Sequence, residues 1–269
     1  MKFISSPSNE VIKEVIKLHD KNKRKKLKKC IVEGWRLIQD AKENGIFIEK
    51  LIISKSLWNK RRDEILKSFS SYDLYIVEDN LMEKISLMET PPGIMGVFPL
   101  FLFPKWELLE EKNNKIVLFS DDIQDPGNLG TIIRIADGVG VDAVILSENT
   151  VDPYNYKVIR GSTGSIFRVP IWVSDKKTFI EFFKGWKVII ADPKGSKVYF
   201  QENLRESFVL ILGNEAWGTR KEKYIDLDPV LLKIPLREGV DSLNVSIAAS
   251  VFLFEAQRQR YFEGGIKDE

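Results

Sequence analysis

Residues 116–137 read IVLFSDDIQDPGNLGTIIRIAD, and this stretch decides the fold of the C-terminal half. The apolar run Ile116–Phe119 predicts a strand buried on both faces, as in a parallel sheet. Pro126-Gly127 predicts a turn that presents Asn128 near the start of a helix, and Arg134 follows six residues later inside that helix. Taken alone, the segment has two equally good interpretations. Asn128 and Arg134 could belong to a functional site, or Asn128 could simply cap the helix while Arg134 is solvated.

The same order of buried strand, loop and helix recurs downstream. Four further apolar segments rich in β-branched residues are predicted as strands: Ala143–Leu146, Lys187–Ala191, Phe208–Leu212 and Leu231–Ile234. A final helix is predicted from about Asn244 to Phe262, and its apolar side chains suit burial against the sheet or a partner subunit. The pattern predicts an α/β domain built on a parallel sheet.

Three polar loops follow strands of this predicted sheet. The first is the Asp121–Arg134 segment, and the second, LGNEAWG at 212–218, comes directly after an apolar strand. The third joins IPL at 234–236 to DSLNVS at 241–246. Ligands of open α/β sheets bind at the carboxyl ends of the strands, so the three loops together predict a ligand site at one edge. Taken singly, each could consist of helix caps and solvated polar residues.

Composition excludes several classes of protein. The chain has 269 residues, 43% hydrophobic and 30% charged, which indicates one large or two ordinary folded domains. Neither a run of ~20 apolar residues nor a signal-peptide core is found. One cysteine (Cys30) and one histidine (His19) exclude an intrachain disulfide and cysteine-rich zinc sites. A cytoplasmic location is therefore expected, and His19 lies in a lysine-rich stretch that suits nucleophile activation poorly.

The first hundred residues predict a small α/β unit. Its first helix is expected to be capped by Ser6, which precedes Pro7, or by Ser8. The further elements are predicted at Cys30–Val32, Trp35–Asn44, Phe47–Ser54, Leu57–Ser68, Leu74–Val77 and Ile94–Phe98. Residues 99–114 contain two prolines and then a charged stretch, which predicts a linker that can include a helical turn. The predicted division is a domain at 1–98, a linker at 99–114 and a domain at 115–269.

A basic run lies in the N-terminal unit. Residues 21–29 read KNKRKKLKK, in which seven of nine residues are basic. Such a cluster can attract phosphates through counterion release, with Lys23, Arg24, Lys25 and Lys26 as the candidate RNA contacts. A solvated helix face or loop is the alternative interpretation.

With these motifs in view, the C-terminal half resembles a known family. DPGNLGTIIRIAD, LGNEAWGT and IPL-x4-DSLNVSIAA look like the three motifs of the SpoU-type (TrmH-type) RNA methyltransferases of the SPOUT superfamily, in the same order and spacing. The resemblance covers about residues 116–262. The N-terminal half, with its lysines, Ile31–Gly34 and Pro91–Ile94, resembles the ribosomal-protein-like substrate-binding domain that often precedes the catalytic domain.

The resemblance implies a fold and a methyl donor. The family fold is a parallel sheet with helices on both faces, whose C-terminal segment threads a trefoil knot, and its members are dimers with the active site at the subunit interface. S-Adenosylmethionine is bound in the knot, and the positions carried over for its contacts are Gly213, Ile234 and Leu243. Backbone groups and apolar side chains suffice to hold an adenine.

The resemblance also implies the catalytic residues: Asn128, Arg134, Glu215, Ser242 and Asn244. A methyl group moves to a ribose 2′-oxygen, for which neither a metal nor a histidine is needed. Because the pKa of a guanidinium exceeds ~12, we expect Arg134 to position an RNA phosphate and lower the pKa of the hydroxyl, rather than act as a base. Asn128 would orient Arg134 or the ribose, Glu215 would order its loop, and Ser242 and Asn244 would complete the polar wall.

Several alternatives stay open at this point. The extra N-terminal domain favours ribosomal RNA as the substrate, with transfer RNA as the alternative within the same class. Methylation of an antibiotic-binding site of ribosomal RNA is also open, as is an RNA-binding or assembly factor without catalysis. Many members of the resembled family have glycine after the Glu of the second motif, whereas this chain has Ala216-Trp217. The Trp217 ring would either stack on a base or pack under the loop.

Overall fold

The computed structural model describes residues 1–111 and 113–261. Its described part clusters into two compact units, Met1–Phe101 with Tyr154–Arg160, and Leu102–Pro153 with the chain from Gly161 onward. In the described ranges no helix is both long and apolar enough to cross a membrane. Phe262, the predicted end of the last helix, lies outside the described residues.

The first unit is a mixed sheet with helices. Its strands β1–β5 span Lys2–Ile4, Lys29–Glu33, Lys50–Ser54, Leu74–Val77 and Ile94–Pro99, and its helices α1–α5 span Glu10–Lys17, Lys21–Leu27, Trp35–Glu43, Lys55–Phe69 and Asp79–Ile85. Within the described chain the sheet order is β1-β4-β3-β5-β2, with β5 antiparallel to both neighbours. The strand predicted from Phe47 begins at Lys50, and Phe47 is exposed. The sequence pattern did not predict β1 and α5.

Helix α1 begins later than its predicted caps. Asn9 is the N-cap, since its side-chain oxygen accepts a hydrogen bond from the amide of Val11 at 2.9 Å. The prediction of Ser6 or Ser8 is wrong because residues 6–9 form a turn ahead of the helix, with the Asn9 amide bonded to the Ser6 carbonyl. The two serine hydroxyls bond each other instead, at 2.7 Å.

The basic run forms helix α2, and its charges do not all face solvent. Arg24 is buried, and its guanidinium donates hydrogen bonds to the carbonyls of Leu18 and His19 at 2.9 and 2.8 Å, where it satisfies the C-terminal end of α1. Lys29 is paired with Glu14 and Glu49 at 2.7 Å each. Arg24 is therefore a structural residue, which corrects its assignment to RNA contact, whereas Lys23, Lys25 and Lys26 are exposed.

The second unit contains most of the remaining elements. Strands β6–β12 span Ile116–Ser120, Ala143–Ser147, Ile171–Ser174, Lys187–Ala191, Lys197–Val198, Phe208–Leu212 and Val230–Lys233, and helices α6–α9 span Pro126–Val139, Tyr156–Gly161, Lys176–Phe183 and Val245–Tyr261. All of α7 except Gly161 groups with the first unit. The sequence pattern did not predict β8, β10, α7 and α8.

The sheet of the second unit is parallel, as predicted. In the described chain its order is β10-β12-β9-β11-β6-β7-β8, and every neighbouring pair is parallel. Every residue of β6 and of β11 is buried, because helices cover both faces. Side chains of alternating strand positions pack on one face against α8 and a 3-10 turn at Lys221–Leu227. Helices α6 and α9 pack against each other and bury the remaining apolar side chains.

Part of the predicted linker belongs to the second unit. Trp106–Leu109 form a 3-10 turn in which Leu109 is fully buried. The Trp106 ring packs edge-on against Trp172, with ring centroids 5.1 Å apart. These apolar side chains attach Trp106–Leu109 to the core of the second unit. The predicted linker of residues 99–114 is therefore not free over its whole length.

Residues 234–244 join β12 to α9 and cross the sheet. In the sheet, β9 and β11 lie between β12 and β6. Asn244, at the end of the segment that follows β12, nevertheless bonds Asn128 at the start of α6, the helix that follows β6. Asn244 caps α9, since its side-chain oxygen accepts from the amide of Ser246 at 2.9 Å. The segment therefore passes the carboxyl ends of β9 and β11.

We predict opposite consequences for two changes in α2. Replacing Lys23, Lys25 and Lys26 together by Ala should weaken RNA binding and reduce the slope of log K against log salt by about 0.7–0.9 for each phosphate that is no longer neutralised, with stability unchanged. Arg24→Ala should instead lower the free energy of unfolding by about 1–3 kcal/mol, because the buried Leu18 carbonyl and the partly buried His19 carbonyl lose their donor. Filter binding across a salt series measures the effect of the triple variant, and urea unfolding measures the effect of Arg24→Ala. An unchanged salt slope in the triple variant would show that these lysines are a solvated surface without RNA contact.

Candidate active site

Four neighbouring strands end at the site. In the order β12-β9-β11-β6 their carboxyl ends lie side by side, and each is followed by a loop: the 121–125 loop after β6, the 192–195 loop after β9, the 213–218 loop after β11 and the 234–244 segment after β12. The chain builds β7 and β8 on one side of β6 and the remaining strands on the other. The site therefore lies at the point where strand order reverses, the usual ligand position in open parallel sheets.

These loops enclose a pocket of about 820 Å³. Seven residues predicted from sequence line it: Asn128, Gly213, Glu215, Ile234, Ser242, Leu243 and Asn244. The volume lies within the range of small-molecule sites, roughly 300–1,000 Å³. Three segments far apart in sequence thus meet around one cavity, as predicted from the polar loops that follow the strands.

A chain of hydrogen bonds connects three of these residues. The Glu215 carboxylate accepts from Nδ2 of Asn128 at 3.0 Å, and Oδ1 of Asn128 accepts from Nδ2 of Asn244 at 2.9 Å. Oδ1 of Asn244 in turn accepts from the amide and hydroxyl of Ser246, at 2.9 and 2.6 Å. Because an ionised carboxylate can only accept, each amide side chain in the chain has one orientation that satisfies its neighbours.

Glu215 also fixes the 121–125 loop. Its two carboxylate oxygens accept from the backbone amides of Asp125 at 3.0 Å and Gln124 at 3.1 Å. Partial burial raises the pKa of Glu215, but the bonds from Asn128 and these amides outweigh burial and leave it below the usual value. The side chain is thus a carboxylate at neutral pH, and its ordering effect persists until the pH falls through that lowered pKa.

Gly213 lets the 213–218 loop fold back on itself. A Cβ at this position would lie 2.2 Å from the backbone nitrogen of Thr219, so no side chain fits. Asn214 closes the loop, since its carbonyl accepts from the Gly218 amide and its Oδ1 accepts from the Ala216 amide at 2.8 Å. Its Nδ2 donates to the Asp122 carbonyl at 2.8 Å and so joins two of the loops.

The residues present fit S-adenosylmethionine. Gly213 lines the cavity and lets the backbone of the 213–218 loop close tightly behind it, and Ile234 and Leu243 offer apolar walls. The Thr219 hydroxyl is buried beside Gly213 with no hydrogen-bond partner among the described residues. A buried polar atom of this kind costs free energy unless a ligand or water meets it. These residues are the ones that would hold the donor.

A buried cluster lies beneath the loops and was not predicted. Asp121 and Asp122 face Lys223, with Nζ–oxygen distances of 3.7 and 3.2 Å, and Ser147 donates to Asp122 at 3.0 Å. Burial raises the pKa of Asp121, against the opposing effect of Lys223 and the Tyr224 hydroxyl. Burial and the neighbouring Asp121 carboxylate raise the pKa of Tyr224. These residues do not line the pocket, so we assign them to holding the 121–125 loop in place.

Sequence reasoning missed one wall of the pocket. Ala191, Asp192, Pro193 and Lys194 line it, directly after strand β9. The rule that selected the other loops would have found this one, because Lys187–Ala191 was already predicted as a strand. The 192–195 loop has no glycine pair or long polar run that would mark it as a ligand loop in the sequence. Its Gly195 is required by packing, because a Cβ there would lie 2.7 Å from the Leu231 carbonyl oxygen.

Two predicted catalytic residues lie apart from the hydrogen-bond chain. Ser242 lines the pocket but is exposed and makes no hydrogen bond to a described residue, and Ser246 takes the position beside Asn244. Arg134 is exposed on α6 and does not line the pocket, and its guanidinium has no hydrogen bond or ion pair within the described ranges. It lies six residues beyond Asn128, about 9 Å along the helix axis and on another face.

Comparisons with known proteins agree with this geometry. Residues 115–254 match the model of the SpoU rRNA Methylase family, and residues 9–96 match that of the MRM3-like substrate binding domain. The 23S rRNA (guanosine(2553)-2′-O)-methyltransferase RlmP of Bacillus subtilis (strain 168) is 30% identical over 94% of this chain and 98% of its own length. The 23S rRNA (uridine(2479)-2′-O)-methyltransferase of Streptomyces viridochromogenes is 28% identical over 90% of this chain and 87% of its own.

Among solved structures, the AdoMet-bound rRNA methyltransferase from Sinorhizobium meliloti superposes with a TM-score of 0.85 and 28% identity, over 95% of this chain and 97% of its own. The chain belongs to the SpoU rRNA methylase family. The predicted family, the SPOUT fold class with an N-terminal substrate-binding domain, the RNA 2′-O-methyltransferase activity and the methyl donor S-adenosylmethionine are thereby confirmed.

We predict that Gly213→Ala removes donor binding while the domain stays folded. The added Cβ forces the 213–218 loop away from Thr219, so the Kd for S-adenosylmethionine should rise about tenfold or more. Gly138→Ala is the matched control, because a Cβ there meets nothing within 4 Å. Calorimetric titration with the donor measures both, and unchanged affinity in Gly213→Ala would remove this loop from the donor site.

Proposed function

We propose that this enzyme methylates a ribose 2′-hydroxyl in large-subunit ribosomal RNA. The observation that carries the proposal is the Glu215–Asn128–Asn244 hydrogen-bond chain at the wall of the pocket. The relatives from Bacillus subtilis and Streptomyces viridochromogenes are named for this reaction on 23S rRNA, and they align over nearly the whole chain. The proposal includes a cytoplasmic location, because ribosomal RNA and the donor meet there.

The roles of the residues follow from their chemistry. S-Adenosylmethionine, when bound, supplies a methyl group activated by a positively charged sulfur. Asn128 and Asn244 are held rigidly by Glu215, so their amides can fix the ribose with its 2′-oxygen in line for transfer. Ser242 adds a hydroxyl to the same wall. The hydroxyl proton leaves to an RNA phosphate oxygen or to solvent, since Glu215 is engaged as an acceptor by three N–H groups.

Arg134 supplies the phosphate clamp from a second copy of the chain. The guanidinium is exposed and unpaired within the described residues, and it lies outside the pocket of its own chain. Helix α9, which packs against α6, exposes Ile247, Phe254 and Tyr261 at seven-residue spacing, an apolar stripe for a second copy to cover. A homodimer through the SPOUT domain buries this stripe and brings Arg134 to the partner's pocket.

The reaction and its RNA are tested together by mapping. We predict that one 2′-O-methylated nucleotide of large-subunit ribosomal RNA disappears from total RNA when the gene is deleted, and returns on complementation with the wild type but not with Gly213→Ala. A missing methyl group in transfer RNA would replace the proposed substrate. An unchanged methylation map would identify a non-catalytic RNA-binding or assembly factor.

The arrangement of two chains has its own prediction. Arg134→Ala should nearly abolish methyl transfer while donor binding survives, and Gly213→Ala should lose donor binding. A heterodimer purified with two tags, one subunit of each variant, combines one intact pocket with one intact Arg134 and should recover about half of the wild-type activity. If each chain used its own Arg134, this heterodimer would be inactive. A monomer in gel filtration would also overturn the arrangement.

A further inference from the structure

Trp217 is exposed at the pocket wall. More than half of its surface, 57%, is accessible, although the residue lies two positions after Glu215 and lines the same cavity. The other tryptophans of the described chain are buried or half-buried: Trp35, Trp58, Trp106, Trp172 and Trp186. Exposing so large an apolar ring at a functional site forgoes its burial energy, so a ligand that covers the ring is expected.

The ring does not hold its loop together. Hydrogen bonds of Asn214 close the 213–218 loop, and Gly218 supplies the left-handed backbone conformation at φ 69°. Trp217 packs against no aromatic ring in the described residues. Of the two roles open from the sequence, packing beneath the loop is thus excluded by the exposure of the ring.

A cation lies beside the ring. The Arg220 guanidinium is 5.8 Å from the centre of the Trp217 ring, and Arg220 is itself exposed with no ion pair to a described residue. An arginine plane next to an aromatic plane is a frequent surface for an unstacked RNA base. A protein or a second copy is a poorer fit for this position, because the ring faces the cavity that the substrate must enter.

The position of the reacting 2′-oxygen determines which base of the RNA can reach the Trp217 ring. A 2′-hydroxyl that enters a concave pocket brings its own nucleotide along, and this removes the base from its neighbours in the RNA. The base is attached to the ribose carbon next to the one that carries the 2′-oxygen. It therefore stays within a few ångströms of the reacting oxygen, and Trp217 lines the same cavity as Asn128 and Asn244.

We propose that Trp217, with Arg220 beside it, stacks on the base of the nucleotide that is methylated. This inference rests on the proposed function and names the part of the RNA that the exposed ring recognises. Stacking on Trp217 replaces the stacking energy that the base loses when it leaves its neighbours in the RNA. It also holds the attached ribose against Asn128 and Asn244. Because every base has a π-face, the contact sets position and not base identity.

The test compares Trp217→Ala, Trp217→Phe and wild type on an RNA fragment that contains the mapped nucleotide. Stacking is worth about 1–3 kcal/mol per base, so kcat/KM should fall roughly 5- to 150-fold in Trp217→Ala, and Phe should restore most of it. The Kd for S-adenosylmethionine should stay unchanged. Phe200→Ala, another exposed aromatic that does not line the pocket, is the matched control and should leave kcat/KM unchanged.

The decisive substrate is the same RNA with an abasic ribose at the target position. Wild type should slow on it, and Trp217→Ala should cause no further loss, because the partner of the ring is already gone. An equal loss on intact and abasic RNA would overturn the stacking, as would a weakened donor affinity or an unchanged kcat/KM. Failure of the wild type to methylate any ribosomal RNA would instead overturn the proposed function, since the Trp217 comparison is made on whichever RNA the wild type methylates.

Discussion

The carboxylate of Glu215 is the constraint on which the site depends. It accepts hydrogen bonds from Asn128 and from two backbone amides that are about ninety residues away in sequence. Through Asn128 the same carboxylate orients Asn244, which belongs to a third segment. Without this acceptor, the two asparagine amides would lose the charge that selects their orientation, and the bond between Asn214 and the Asp122 carbonyl would remain as the described link between the 213–218 and 121–125 loops.

A second layer of polar residues supports this arrangement from below. The Asp122 carbonyl accepts from Asn214, while its side chain is bonded to Ser147 and Lys223. A buried carboxyl such as Asp121 is costly unless a cation and hydrogen-bond donors meet it, and here Lys223 and Tyr224 do so. The outer loop can therefore be polar and partly exposed without being loose, because its backbone is fixed at both levels.

The sequence predicts what depends on local pattern. Fully buried strands such as Phe208–Leu212 are recognisable because all their side chains are apolar, and the loops that follow them are then placed at one edge. Strand β8 escapes detection because it has only four residues, and Pro170 directly before it limits its apolar run to Ile171–Val173. Arg24 could not be separated from its lysine neighbours, since its burial depends on carbonyls at the end of the preceding helix. Arg134 shows a further limit, because its place in the motif did not reveal that it lies outside the pocket lining.

The charge of the pocket determines which part of an RNA can enter it. Five carboxylates line the described pocket against two lysines: Asp125, Asp192, Glu215, Glu222 and Asp241 against Lys194 and Lys221. This wall suits a donor with a positive sulfur and repels the phosphates of RNA. A neutral ribose and an uncharged base can enter such a cavity, whereas the RNA backbone must be held by cations beyond its rim.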